Sequence, residues 1–176
     1  YCLGLEPEIT FAGGRGFTIQ DNCVNYRVEK EEGPGRPMVK ATMKWAGGLK
    51  FQGKSAFGHT IVTDAAKADG GDEAGFKPSE LMLYSLAGCT GIDIVRILEK
   101  QKQQISALEI ELAAEQPTEY PKPFKEIEIR YTIRGKNLDS QKVARAIELS
   151  EQKYCTVGLT IQQSTPLKST YKVVND

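Results

Sequence analysis

The chemistry open to this sequence depends on sulfur. Four cysteines are spread over its 176 residues: Cys2, Cys23, Cys89 and Cys155. No two of them have the C-x-x-C spacing, and His59 is the single histidine, so this scattered ligand set predicts no metal site. Four cysteines are also too few for a secreted disulfide framework in a chain of this length. In a reducing compartment we therefore expect free thiols, unless one pair is redox-active.

Two further motifs are too incomplete to predict a function. A cysteine hydrolase would pair a thiol with His59, but neither Cys89 nor Cys155 has a cysteine-protease signature around it. The stretch Gly13-Gly14-Arg15-Gly16 is rich in glycine, but the Lys-Ser/Thr that a phosphate-binding loop requires does not follow it. We interpret Arg15 as a solvated turn residue.

Cys89 has a distinctive setting, the run Leu86-Ala87-Gly88-Cys89-Thr90-Gly91. Two glycines inside a helical pattern cost about 2 kcal/mol relative to alanine, so we expect close packing of another backbone or access to a side chain. Asp93 follows one turn later on the same helix face. A role for Cys89 as a small buried hydrophobic residue stays open beside a chemical one.

Cys155 lies 66 residues further on, after Ser150-Glu151-Gln152-Lys153-Tyr154 at the end of a second helical pattern. It too can be a core thiol at a helix end. If the two helices pack together, Cys89 and Cys155 can meet, but their spacing in the sequence does not decide this.

Two helices and several strands must position these thiols. Pro78 fits the first turn of a helix over residues 79–100, which is apolar nearly all round and is therefore expected to be almost wholly buried. Asp139 is a plausible N-cap for the second helix. Val143 and Ile147 belong to its apolar stripe.

The strand patterns lie before, between and after the two helices. Alternation over residues 38–45 predicts a half-buried strand, and a return strand from Leu49 and a third strand over residues 60–63 follow it. Residues 108–112 and 127–133 alternate with one polar face, which is typical of an antiparallel sheet. Residues 167–174 close the chain as a strand. This order predicts the α+β class.

Residues 1–37 differ from the rest of the chain. Alternating stretches on both sides of residues 13–16 predict a hairpin, and the charged, Pro- and Gly-containing segment 29–37 predicts a linker. We therefore expect residues 1–37 to be an N-terminal appendage and residues 38–176 to be the main domain.

The composition excludes several partners. Lys plus Arg and Asp plus Glu both number 23, and this balance argues against a nucleic-acid surface, which would need a basic excess. No apolar run has the length of a membrane span, and the first residues do not have the pattern of a signal peptide, so we expect a cytoplasmic protein with no membrane partner.

Two segments together resemble the OsmC-like family, which includes osmotically inducible protein C and the organic hydroperoxide resistance proteins. Lys77-Pro78-Ser79-Glu80-Leu81-Met82-Leu83-Tyr84-Ser85-Leu86-Ala87-Gly88-Cys89-Thr90 resembles its first-cysteine helix, and Ala146-Ile147-Glu148-Leu149-Ser150-Glu151-Gln152-Lys153-Tyr154-Cys155 its second. The stretch from Tyr120 to Leu138 is similar to the strand and turn between them. The resemblance covers residues 38–176, and the chain closely resembles the YhfA-like branch.

The resemblance implies an intertwined homodimer with antiparallel sheets around two long buried helices. It also implies a thiol peroxidase that needs no cofactor. Cys89 would attack an organic hydroperoxide and become a sulfenic acid, Cys155 would condense with it to a disulfide, and a dithiol reductant would restore both. Their Cα atoms would then lie about 4.4–6.8 Å apart, or slightly further when reduced.

The sequence departs from the peroxidase members at two positions. Those members have a glutamate directly after the proline of the first motif, whereas this chain has Ser79 there and Glu80 one residue later. They also place an arginine near the first cysteine, and the corresponding stretch here, residues 53–59, offers Lys54 and His59 instead. The alternative is therefore a non-catalytic dimer that binds a small apolar ligand at its interface.

Overall fold

The computed structural model describes residues 38–176, and residues 41–176 form one compact unit. The expected appendage over residues 1–37, with Cys2 and Cys23, lies outside the described residues. The described elements, in chain order, are β1 (Met43–Trp45), β2 (Phe51–Lys54), β3 (Thr60–Thr63), α1 (Pro78–Lys100), β4 (Gln104–Glu115), β5 (Glu126–Lys136), α2 (Ser140–Leu149), a π-helical turn (Ser150–Tyr154), α3 (Thr156–Ile161) and β6 (Leu167–Asn175). The α+β class is confirmed.

The first three strands form a small antiparallel sheet in the order β1-β2-β3, with Phe51 between Trp45 and Thr63. The expected half-buried strand over residues 38–45 is wrong in its length and its burial. Only Met43–Trp45 is a strand, and all three of its residues are exposed. Alternating apolar residues become half-buried only when another layer covers them, and within the described chain β1 has no such cover.

The second sheet has the order β4-β5-β6. β4 and β5 are antiparallel as expected, with Leu108 opposite Ile133. β6, however, runs parallel to β5, with Tyr171 beside Tyr131, so the expectation of purely antiparallel sheets is wrong for this strand. The physical reason is the connection, because the chain returns from β5 through helices that cross over the sheet and begin β6 at the same end.

The core lies between α1, the second sheet and the helices after β5. One stripe of α1 is buried at every fourth residue, and Leu86, Ile94 and Leu98 belong to it. The opposite face is not covered within this chain, since Tyr84 is 61% and Ile92 56% exposed. The expected nearly complete burial of this helix is therefore wrong for the single chain. Ile94 is inside and Leu83 is half-buried.

The expectation that no apolar run has the length of a membrane span is wrong for α1, which has that length and composition, with a window of mean hydropathy 1.5. Among the described helices it alone meets that test. Its buried stripe against β4 and the later helices is the arrangement of a core helix in a folded domain.

Both α1 and α2 begin with the residues that the sequence predicted at their starts. Pro78 occupies the first turn of α1, and the Glu80 carboxylate accepts the Lys77 N–H at 3.2 Å. Asp139 caps α2 by accepting the Gln141 N–H at 2.8 Å and the Lys142 N–H at 3.3 Å.

The connection between β3 and α1 is organised around the buried carboxylate of Asp64, which is 3% exposed. One oxygen accepts the Ala65 N–H at 2.8 Å, and the other accepts the N–H groups of Asp72 and Ala74 at 3.0 Å each. The hydrogen bond from Ala74 is the main cause that lowers the pKa of Asp64, against the opposing effect of burial. The loop is thus held by an ionised side chain.

We predict that Asp64→Asn loosens this loop, because an amide has a single acceptor oxygen and cannot bind all three N–H groups. Hydrogen exchange should accelerate at Ala65, or at Asp72 and Ala74, while Asp69→Asn in the same loop should leave it unchanged. Since the folded pKa of Asp64 is lowered, its contribution to stability is present above the unfolded value near 4 and is lost as the pH falls through the folded value. Unchanged exchange in Asp64→Asn at neutral pH contradicts this account.

Candidate functional site

The structure brings the two predicted thiols together between α1 and the start of α3. Cys155 is fully buried and Cys89 is half-buried, and both are unbonded thiols. Cys89 lies close enough to Cys155 to raise the pKa of the Cys155 thiol. In this arrangement a small molecule from solution can reach the half-buried sulfur, and the fully buried sulfur is close enough to react with it afterwards.

A local change of helix type places Cys155. After α2 the chain widens into the π-helical turn Ser150–Tyr154, and the Cys155 N–H bonds to the Ser150 carbonyl at 2.8 Å. Cys155 has an extended backbone and caps α3, with its sulfur accepting the Gly158 N–H at 3.2 Å. A β-carbon at Gly158 would lie 3.3 Å from that sulfur, so glycine allows the close approach. Single π-helical turns of this kind occur often at functional sites.

The two glycines around Cys89 have different structural surroundings. A β-carbon at Gly91 would lie 3.0 Å from the Ile110 side chain, so glycine here permits the close packing of α1 on β4. A β-carbon at Gly88 would meet nothing within 4 Å, and Gly88 is exposed. The surface beside Cys89 is therefore open to solvent in this chain.

A buried polar cluster lies beside the pair. The Ser150 hydroxyl is fully buried and lies 3.4 Å from both the Thr90 carbonyl and an Asp93 carboxylate oxygen. Asp93 also acts electrostatically on Cys155. The sequence indicated Asp93 by its position one turn after Cys89, but it gave no sign that Ser150 would face it.

A second cluster ties the π-helical turn to the sheet. The Tyr131 hydroxyl donates to Glu151 at 3.1 Å, and the Ser169 hydroxyl donates to the other oxygen of Glu151 at 3.1 Å. Burial is the main cause that raises the pKa of Tyr131, and the Glu151 charge adds to it. The sequence analysis assigned Tyr131 to the apolar face of a strand and missed this contact. The one sign of it in the sequence was a hydroxyl group among apolar residues at alternate positions.

Burial and hydrogen bonding set the protonation of Cys155. Burial raises its pKa to about 12, and the hydrogen bond with Cys89 and the Asp93 charge act in the same direction. The Gly158 N–H acts in the opposite direction. Cys155 is therefore a protonated thiol at neutral pH, and the groups that shift its pKa include no cation.

None of the three supporting candidates forms a hydrogen bond or ion pair with either cysteine among the described residues. Glu80 caps the start of α1, nine residues before Cys89, which is about 13 Å along the helix. Lys54 ends β2, and the backbone of His59 pairs with Ser55 in the following turn. Lys54 and His59 thus belong to the small sheet. Among residues 38–176, no group of three His, Cys, Asp or Glu side chains could hold a metal ion.

Comparisons with known proteins agree on one family. The family model described as OsmC-like protein matches residues 70–170. The protein YhfA of Escherichia coli K12 is 38% identical over 136 residues, which cover 77% of this chain and 98% of YhfA.

Solved structures agree on the fold. A hypothetical protein from Aquifex aeolicus has a TM-score of 0.71 at 28% identity, covering 80% of this chain and 99% of that chain. The organic hydroperoxide resistance protein OhrB of Bacillus subtilis has a TM-score of 0.54 at 21% identity, covering 76% of this chain and 98% of that chain. At this level of identity the second likeness shows the fold alone.

We predict that Tyr131→Phe destabilises the protein by about 1–2 kcal/mol, because the variant loses a hydrogen bond to a carboxylate and leaves Glu151 with fewer donors. Denaturant unfolding measures this loss. Tyr171→Phe is the matched control, since Tyr171 pairs with Tyr131 across the strands but is 48% exposed. Its effect should stay within about 0.5 kcal/mol. Equal effects of the two variants contradict a structural role for the Tyr131 hydroxyl.

Proposed function

The chain belongs to the OsmC-like family, and from that premise we propose that it is a thiol-dependent peroxidase that reduces organic hydroperoxides. Its role would be protection against oxidative stress, in the cytoplasm. The observation that carries the proposal is the closeness of Cys89, which is half-buried, to Cys155, which is fully buried and whose pKa Cys89 raises. Gly88, next to Cys89 in the chain, is exposed and Cys89 itself is partly exposed, which suits attack on a small peroxide from solution.

In the first step the Cys89 thiolate attacks one oxygen of the peroxide bond. The sulfur–oxygen bond forms and the oxygen–oxygen bond breaks. Cys89 becomes a sulfenic acid, and the alkoxide takes up a proton and leaves as an alcohol. The sulfur is oxidised by two electrons and the hydroperoxide is reduced by two.

In the second step the Cys155 sulfur attacks the Cys89 sulfenic acid. A disulfide forms, and the hydroxyl of the sulfenic acid leaves with the Cys155 proton as water. A dithiol reductant then opens the disulfide by thiol–disulfide exchange and returns both thiols. The Cα separation expected for such a pair stays a prediction.

A homodimer is the second part of the proposal. Large apolar side chains are exposed on α1 and on the small sheet: Met43, Trp45, Leu49, Phe51, Phe57, Tyr84 and Ile92. Exposed apolar patches of this extent mark interaction surfaces. A sheet of three short strands is also weak without cover. A second copy of the chain is the partner that the family resemblance implies.

A binding function is the alternative, and one feature of the structure favours it. A groove of about 610 Å³ lies between α1 and β4, with Ile92, Val95 and Leu108 in its lining and Arg96 at its edge. Its size suits a small ligand, and its lining suits an apolar one. The groups that act on Cys155 include no cation, so this alternative also accounts for the missing activating groups.

The peroxidase proposal predicts that Cys89→Ser abolishes the consumption of cumene hydroperoxide with dithiothreitol. Cys155→Ser, exposed to the peroxide before dithiothreitol is added, should consume one equivalent per chain and then hold a sulfenic acid on Cys89, because the described residues place no thiol other than Cys155 beside it. Peroxide loss and the mass of the protein measure both outcomes.

A double variant, Cys2→Ser with Cys23→Ser, is the control and should retain wild-type turnover. Wild-type turnover in Cys89→Ser contradicts the peroxidase proposal. If the wild type consumes no organic hydroperoxide, the binding function replaces it.

The dimer proposal predicts that Ile92→Glu shifts the protein toward a monomer, because a charge on the exposed apolar face of α1 would have to be buried. Sedimentation velocity at micromolar concentration measures the shift. Gln141→Glu adds the same charge to an exposed position of α2 and should leave the dimer intact. A wild-type protein that sediments as a monomer contradicts the proposal.

A further inference from the structure

The position of Cys155 depends on the π-helical turn before it. The Cys155 N–H bonds at 2.8 Å to the carbonyl of Ser150, five residues back, where an α-helix would use the carbonyl four residues back. Such turns are rare, so one that persists needs support from neighbouring elements. If the turn relaxed by one residue to the α-helical pattern, the side chains after it would rotate by about 100° and the Cys155 sulfur would point elsewhere.

Two hydroxyl groups of the second sheet support this turn through Glu151. The Tyr131 hydroxyl on β5 donates to one carboxylate oxygen and the Ser169 hydroxyl on β6 donates to the other, each at 3.1 Å. Tyr131 is 1% exposed, so packing in the core fixes the place from which its hydroxyl donates. Hydrogen bonds to a carboxylate are stronger than those between neutral groups. Glu151 therefore ties the start of the turn to the core of the sheet.

The other side of the turn faces the part of α1 that carries Cys89. The buried Ser150 hydroxyl lies 3.4 Å from the carbonyl of Thr90, the residue after Cys89. This contact is longer than those at Glu151 and is correspondingly weaker. The bonds at Glu151 are thus the stronger support of the segment that carries Cys155.

We propose that Glu151 is a positioning residue for the second step of the proposed reaction, and that its two hydrogen bonds hold the π-helical turn in the register that keeps Cys155 beside Cys89. The inference rests on the proposed function, in which the Cys155 sulfur competes with a second hydroperoxide for the Cys89 sulfenic acid. If the hydroperoxide wins, it transfers one oxygen to the sulfur, which becomes a sulfinic acid, and leaves as an alcohol. A sulfur held at the right place wins this competition because its effective concentration is high.

Equilibrium with a dithiol tests the position of Cys155 without any hydroperoxide. The full-length chain with Cys2→Ser and Cys23→Ser is equilibrated with mixtures of oxidised and reduced dithiothreitol, and mass spectrometry gives the share that holds the Cys89–Cys155 disulfide. Oxidised dithiothreitol takes up the two protons and two electrons that the thiols lose, so the exchange balances. In Glu151→Ala we expect the equilibrium constant for disulfide formation to fall about tenfold. An unchanged constant overturns the inference.

Glu151→Gln and Glu148→Ala are the matched variants. The glutamine carbonyl can accept the Tyr131 hydroxyl and its amide can donate to the Ser169 hydroxyl, so the constant should stay within about threefold of the wild-type value. Glu148 lies on α2 before the turn, is exposed and pairs with Arg145, so its removal should leave the constant unchanged. A glutamine variant as impaired as the alanine variant overturns the inference, because the charge of Glu151 and not its hydrogen bonds would then matter.

Two further measurements separate positioning from a general loss of structure. Iodoacetamide should alkylate Cys89 in the reduced chain at the same rate in Glu151→Ala and the wild type, since Glu151 acts through Cys155, and a faster rate in the variant contradicts the inference. If Glu151→Ala does not fold, Ser169→Ala removes one of the two hydrogen bonds from an exposed position and should lower the disulfide constant roughly threefold. A wild-type constant in Ser169→Ala then overturns the inference.

The peroxide assay distinguishes a failure of this inference from a failure of the proposed function. Glu151→Ala should accumulate sulfinic acid on Cys89 at about tenfold lower hydroperoxide concentration than the wild type. If the disulfide constant falls and no hydroperoxide is consumed, the positioning role stands and the peroxidase proposal fails. If hydroperoxide is consumed and neither the constant nor the sulfinic acid changes, the peroxidase proposal stands and the positioning role fails.

Discussion

The contact between α1 and the segment from Ser150 to Cys155 is the interaction on which the rest of the site depends. α1 supplies a half-buried thiol and an acidic side chain one turn later, and the interrupted second helix supplies a fully buried thiol and a buried hydroxyl. Helices that pack face to face normally bring apolar side chains together. The contact here also encloses polar groups. Each buried polar group needs a hydrogen-bond partner in the protein because it is shielded from water.

Hydrogen bonds from the second sheet hold the π-helical turn in its position against α1. Tyr131 stands on β5 between Ile129 and Ile133, and its hydroxyl passes out of that apolar layer to reach Glu151 in the π-helical turn. Ser169 on β6 holds the same carboxylate from the neighbouring strand. The parallel pairing of β5 and β6 is what places both hydroxyls at one carboxylate, so the strand order and the position of Cys155 are parts of one arrangement.

Local chemistry in the sequence was enough to predict the helix start at Pro78 and the cap at Asp139, because each depends on residues within one turn of the chain. The pairing of the two cysteine segments came from the family resemblance, since it depends on how two distant helices pack. The direction of β6 was not predictable in this way, since it follows from the path of the chain over the sheet. The π-helical turn was equally hidden, because its stability comes from contacts with Tyr131 and Ser169, which lie far from it in sequence. The alternating pattern over residues 38–45 predicted too long and too buried a strand for a related reason. Alternation shows that one face of a strand is apolar, but it does not show which other element covers that face.

The exposed face of α1 reaches the surroundings of Cys89 at Gly88. A second copy that covers Tyr84 and Ile92 would also approach the open surface at Gly88, and its charged side chains would then lie near the Cys89 sulfur. Interactions of that kind depend on assembly and weaken with salt when they remain exposed. The protonation of Cys155 has a different basis, because the burial that raises its pKa is provided by its own chain. Burial therefore keeps Cys155 a protonated thiol within each chain, and an assembly could add only to the surroundings of Cys89.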